Sequence, residues 1–162
     1  MDFPNPIGPI EGQTPELIHA MLVWGESRGE PSDGQCAVAH IPLTRAKITG
    51  KDLKHECLRP FAFSCFNQTD PNRHKLLRPA ENSTTGTWVR CWRIALEARL
   101  GQSANPAPEA THYVTKALWN RPAVNPAYPK WFEAPLVSSG KTKLVAEIGG
   151  QVFATTPWSP HD

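Results

Sequence analysis

The sequence predicts one α+β domain, mainly α, in which a few helices and a minor β element are joined by long Pro-rich loops. Three observations carry that expectation. The 162 residues fit a single domain, since domains cluster near about 100–150 residues. Seventeen prolines and 11 glycines are too many for an uninterrupted helical bundle. Apolar residues nevertheless recur at three- and four-residue spacing in the longer segments, while strand-like runs are few and short.

The elements follow in order. Residues 1–13 read as a Pro/Gly-rich lead lying loosely on the surface, and residues 14–162 as one domain. Thr14-Pro15-Glu16 is a helix start, with a capping hydroxyl, a proline in the first turn and an acid at the positive end of the dipole. The first helix should run from Pro15 to Glu26, with Gly25, Gly29 and Pro31 loosening and stopping it. A second begins near Ser32, carries Cys36, Ala39, His40, Leu43 and Ala46 on one face, kinks at Pro42 and closes at Gly50. A short helical turn over Lys51 to Leu58 precedes Pro60 to Phe66, where bulky and small residues alternate as in a strand. Asn67 to Gly86 reads as an extended loop. Thr87 to Leu100 is the clearest helix, with Trp88, Cys91 and Trp92 inward and Gly101 as its stop. Leu144 to Thr155 reads as a strand interrupted by Gly149-Gly150, a bend or bulge.

Composition narrows the function. A formal charge of +2 gives no support for a nucleic-acid partner. No stretch approaches the roughly 20 apolar residues of a membrane span, so stable membrane insertion is not expected. The first 16 residues hold an early acid and four prolines and do not read as a secretory signal. Cys36 and Cys91 fall on apolar helical faces and read as buried. Cys57 and Cys65 allow a disulfide without requiring one. No C-x-x-C or H-x-x-x-H pair occurs, so neither a metal nor any other cofactor is expected.

Glu26 is the residue in an unusual place. It lies four residues after Leu22 and eight after Ile18, on an apolar helix face. A carboxylate there is costly unless it is paired, hydrogen-bonded or protonated. Position alone leaves two readings: a helix-end acid that swings into solvent or pairs with Arg28, or a partly desolvated general acid facing a cleft.

The run Trp24-Gly25-Glu26-Ser27-Arg28-Gly29-Glu30-Pro31, continued by Gly34-Gln35-Cys36-Ala37-Val38-Ala39, resembles the G-E-x-R-G-E-x-x-x-G-Q-x-A-V-A signature of the cell wall hydrolase family of SleB-like spore-cortex-lytic enzymes. Phe63-Ser64 is similar to that family's aromatic-Ser segment, Ala110-Thr111-His112-Tyr113 to its A-x-x-Y segment, and Ile148 to Phe153 to its terminal I-G-G-H-x-F. The resemblance implies a lysozyme-like fold and a lytic transglycosylase that cleaves peptidoglycan between N-acetylmuramic acid and N-acetylglucosamine. It assigns Glu26 as the catalytic acid and base. Glu30 then orients the adjoining loop, Ser64 hydrogen-bonds substrate or Glu26, and His112 and Tyr113 line the cleft. Thr44-Arg45 replaces the family's usual Asn-Arg, and Gln151 its His.

Trp119, Trp131 and Trp158 lie in loops, where their rings either stack on sugars or pack locally. The biological setting implied is a monomeric phage endolysin, made in the host cytoplasm and reaching the periplasmic wall after membrane permeabilisation. Alternatives are a hydrolytic muramidase with two carboxyl groups, a wall amidase or peptidase needing a metal or nucleophilic Cys, and a non-catalytic wall-binding module.

Overall fold

The structure, a computed structural model, describes residues 5–84, 86–120 and 140–157. Thr14 opens α1 (Pro15–Ser27), its hydroxyl accepting the Leu17 N–H at 3.3 Å. The helix runs one residue past expectation, to Ser27, whose hydroxyl donates to the Val23 carbonyl at 2.7 Å. Ile18, Met21, Leu22, Val23 and Trp24 are all buried, so α1 is enclosed on nearly every side. Part of the segment before it is anchored and not loose: Ile10 enters the core, and the Gln13 amide donates to the Ile7 and Pro9 carbonyls.

Against α1 pack α2 (Ser32–Thr49), α3 (Leu53–Leu58) and α4 (Thr87–Arg99). Helix α2 continues through Pro42 and ends at Gly50, which takes the left-handed φ of 70°. Its buried face is rotated from the expected one. Gly34, Gln35, Ala37, Val38, Ala39 and Ile41 face inward, whereas Cys36, His40 and Leu43 are only half-buried. Small residues allow close helix approach, and the Gln35 amide is satisfied by the Ser27 and Arg28 carbonyls at 3.0 and 3.3 Å. The face expected to be buried through Cys36, His40 and Leu43 is therefore misplaced, although Ala39 is in the core. Helix α4 matches expectation closely, burying Trp88, Cys91, Ala95 and Ala98, with Trp92 edge-on to Trp88 at 5.5 Å.

The expected strand over Pro60 to Phe66 does not form. The Ala62 N–H bonds the Arg59 carbonyl at 3.0 Å, closing a turn with Phe61 at φ 61°, and Ser64–Phe66 is a short 3-10 helix. The Ala62 and Phe66 N–H groups find local carbonyls at Arg59 and Phe63, and the Cys65 N–H finds the Glu26 carboxylate, so these donors are satisfied without a neighbouring strand. The loop after it is also more ordered than expected, since Arg73–Leu77 forms a 3-10 helix that buries Leu76.

The β element is a three-stranded antiparallel sheet, ordered β1 (His112–Thr115), β3 (Gln151–Thr155), β2 (Lys143–Ile148). What read as one interrupted strand is a hairpin. Gly149, at φ 57°, reverses the chain, and the irregularity in register falls between Leu144 and Ala146. A four-residue helix α5 (Lys116–Trp119) carries Trp119, while Trp131 and Trp158 lie outside the described residues.

Candidate active site

The last turn of α1 places Glu26 at the edge of the core, half-buried, with both carboxylate oxygens engaged. Oε1 accepts the backbone N–H of Cys65 at 2.8 Å and the Ser64 hydroxyl at 3.2 Å. Oε2 accepts the Tyr113 hydroxyl at 2.5 Å. Arg28 does not pair with it. That guanidinium lies 4.4 Å over the Trp24 ring and donates to the Trp24 and Gly25 carbonyls, capping the helix end. Of the first reading left open by position, the pairing with Arg28 does not occur, and the carboxyl is held half-buried by three donors.

Three features bring those donors together. Gly25 permits the closest approach: a Cβ there would lie 2.8 Å from Cys65 Cβ and 2.9 Å from Leu76 Cδ2. Gly25 thus lies inside the helix and does not end it. Strand pairing supplies the second, since Tyr113 opposes Phe153 in the β1–β3 ladder and its ring packs 5.8 Å from Phe153 and 6.4 Å from Phe63. The third is Arg45, buried on α2, whose Nε donates to the Thr111 carbonyl at 2.8 Å while its guanidinium covers the Phe63 ring at 5.0 Å. One side chain thereby ties the segment bearing Ser64 and Cys65 to the strand bearing Tyr113. The sequence offered an Arg in a family motif, but not this bridging role.

Glu30 and His112 stand apart from this cluster. The Glu30 carboxylate accepts the Gly150 N–H at 2.9 Å and anchors the β2–β3 turn to the start of α2. His112 is next to Tyr113 on β1, so strand alternation sends it to the opposite face. There it is buried, with Nδ1 2.8 Å from Thr111 Oγ1, and burial lowers its pKa to about 3. The contribution of Cys65 is a backbone N–H, for which no side-chain signal exists in the sequence.

Electrostatics keep these donors as donors. Burial first, then the Glu26 carboxylate, pushes the Tyr113 phenol and the Cys65 thiol well above their usual values. Burial raises the other thiols too, Cys91 to about 12, and all four cysteines are free thiols. A thiol held protonated is a poor nucleophile, which weighs against the cysteine route to a peptidase. At Glu26 the Cys65 N–H can only donate, but the Ser64 and Tyr113 hydroxyls can rotate to accept. The pocket therefore suits a carboxyl group that alternates between acid and carboxylate.

Removing the phenol tests that arrangement. Tyr113→Phe should lower kcat about 10- to 100-fold, the effect of losing one hydrogen bond to a charged group worth roughly 1.5–3 kcal/mol, with KM little changed. Wild-type turnover in that variant would remove Tyr113 from the site.

The fold and this half-buried carboxyl define a lysozyme-like α+β domain, mainly α. Residues 29–154 match the family model described as Cell Wall Hydrolase, with Glu26 just before the matched span. The catalytic domain of the germination-specific lytic transglycosylase SleB from Bacillus anthracis is similar in structure. Its TM-score is 0.56 at 22% identity, covering 94% of this chain and 100% of that one. No curated protein matches the chain. The chain belongs to the cell wall hydrolase family.

Proposed function

We propose that the protein is a lytic transglycosylase that cleaves peptidoglycan glycan strands between N-acetylmuramic acid and N-acetylglucosamine, with Glu26 as acid and then base. The observation that carries this reading is the half-buried Glu26 carboxyl with two rotatable hydroxyl partners and one fixed N–H. Protonated Glu26 gives its proton to the glycosidic oxygen as the bond to muramoyl C1 breaks, releasing the N-acetylglucosamine C4 hydroxyl. The carboxylate then takes the proton of the muramoyl C6 hydroxyl as that oxygen bonds to C1. The net reaction consumes no water, closes a 1,6-anhydro ring and returns Glu26 to its acid form. No second carboxylate is needed for it, unlike hydrolysis by a paired-carboxylate glycosidase.

Digestion of purified peptidoglycan followed by mass spectrometry tests the reading. Anhydromuramoyl ends are expected. Reducing muramoyl ends would replace transglycosylation by hydrolysis, and new amino termini without sugar ends would overturn both.

The same proposal extends to the setting of a phage endolysin that meets the wall only after the membrane is opened. Expressed alone in the cytoplasm, it should leave cells turbid until chloroform is added. Lysis without permeabilisation would contradict that setting.

A further inference from the structure

The segment that carries Ser64 and Cys65 to Glu26 sends two aromatic rings in opposite directions. Phe63 goes inward: it is 2% exposed, packs 6.4 Å from the Tyr113 ring and lies under the Arg45 guanidinium. Phe61, two residues earlier, goes outward and is 86% exposed. Its backbone is held at φ 61°, in the left-handed region that a bulky side chain rarely occupies. The bond from the Ala62 N–H to the Arg59 carbonyl at 3.0 Å closes the turn around it. Neither the exposed ring nor the left-handed backbone favours folding, and strained positions of this kind collect at binding and active sites.

Chain connection keeps this ring near the reaction. The Phe61 Cα is three residues from that of Ser64, whose hydroxyl donates to Glu26, so the two are at most about 11 Å apart. A glycan strand seated at Glu26 is long enough to reach it. Pro60 to Thr69 contains no charged side chain, and Ser64 and Gln68 are exposed in it with uncharged hydrogen-bonding groups. That surface suits a neutral carbohydrate. A sugar ring presents a face of C–H groups, which lies on the electron-rich face of an aromatic ring, and a rim of hydroxyls for the polar neighbours. A protein partner needs roughly 800 Å² on each side, several times what one Phe buries. An anionic membrane surface calls for basic side chains, which the segment lacks. We propose that Phe61 is a stacking platform for a sugar ring of the strand, a binding contact outside the Glu26 pocket. The proposal rests on the glycan-cleaving reading and adds a residue that grips the strand without taking part in proton transfer.

The test compares two substitutions in the whole protein on soluble glycan strands. Phe61→Asn removes the ring and supplies a residue that tolerates the left-handed backbone, so its urea midpoint should match or exceed that of the wild type. Its KM should rise about tenfold or more, the scale expected for one buried aromatic ring, with kcat within about twofold of the wild type. Phe61→Trp keeps an aromatic face and should hold KM within about twofold of the wild type. A residue that only shapes the turn bearing Ser64 and Cys65 would lower kcat instead. An unchanged KM in the Asn variant, a fall in kcat at constant KM, or a Trp variant as impaired as the Asn variant would overturn the platform while leaving glycan cleavage intact. Absence of new sugar ends from the wild type would overturn the glycan-cleaving reading and the platform with it.

Discussion

Glu26→Gln is expected to abolish wall digestion, lowering the rate at least about 10³-fold, while the protein unfolds at nearly the wild-type denaturant midpoint. The amide can still receive the Cys65 N–H and Ser64 hydroxyl on its oxygen, so the local frame survives. It can neither deliver a proton to a glycosidic oxygen nor take one from a sugar hydroxyl. General acid–base catalysis by one group contributes typically 10²–10⁴-fold, and here one group performs both transfers. Glu26→Asp gives a second check, because it keeps the acid but withdraws it from Tyr113 and should recover only a small part of the activity. Retained turnover in the Gln variant would place the chemistry elsewhere.

The second large effect is on stability, and it comes from two buried imidazoles. His19 lies within α1 with Nε2 2.8 Å from the Ala39 carbonyl, and burial is the main cause that lowers its pKa to about 4. For His112 burial again dominates, with Arg45 and Arg59 adding to it, and the value falls to about 3. In the unfolded chain both titrate near 6.5. Each folded-state value is depressed below the unfolded one, so below pH 6.5 the unfolded chain binds protons that the folded protein does not. Stability is therefore present above pH 6.5 and is lost as pH falls toward 4 and 3. Between pH 7 and 5 the linkage amounts to about 2 kcal/mol for each histidine. That is a large share of the roughly 5–15 kcal/mol typical of a domain. Urea unfolding at pH 7 and pH 5 measures it. His112→Asn should shrink the pH-dependent loss by about 2 kcal/mol, and a pH-independent midpoint in the wild type would show that neither imidazole is protected.

How much of this was legible in the sequence depends on the physical scale of each feature. Local rules worked where the decisive interactions are local. The Thr14 cap, the α4 stripe of Trp88 and Cys91, and the stop at Gly50 are each set within a few residues, and the structure has them. The placement of Glu26 also followed from helical spacing. The strand over Pro60 to Phe66 does not form because alternation of large and small residues says nothing about whether a partner strand exists; the segment turns at Ala62 and gives its Cys65 N–H to Glu26 instead. The Gly149 hairpin was half-read. A bend was evident, but not that the two halves pair with each other.

The site divides in the same way. Ser64 and Tyr113 reach Glu26, from 38 and 87 residues away along the chain, because the Gly25 gap and the Arg45 bridge bring them there. Both residues fall in the family's motifs, but neither motif tells what the residue does, since one is a missing side chain and the other a buried cation on a ring. His112 was grouped with its neighbour Tyr113, yet successive strand residues face opposite sides, so only one of the pair can line the cleft. Glu30, close in sequence, is drawn off by the Gly150 N–H.

The most direct test of the central claim is digestion of glycan strands in ¹⁸O-labelled water by the wild type and Glu26→Gln in parallel, with the sugar ends weighed by mass spectrometry. The expected result is anhydromuramoyl ends free of ¹⁸O from the wild type and no new ends from the variant. Muramoyl ends carrying ¹⁸O, or equal cleavage by the variant, would contradict a Glu26-driven transglycosylation.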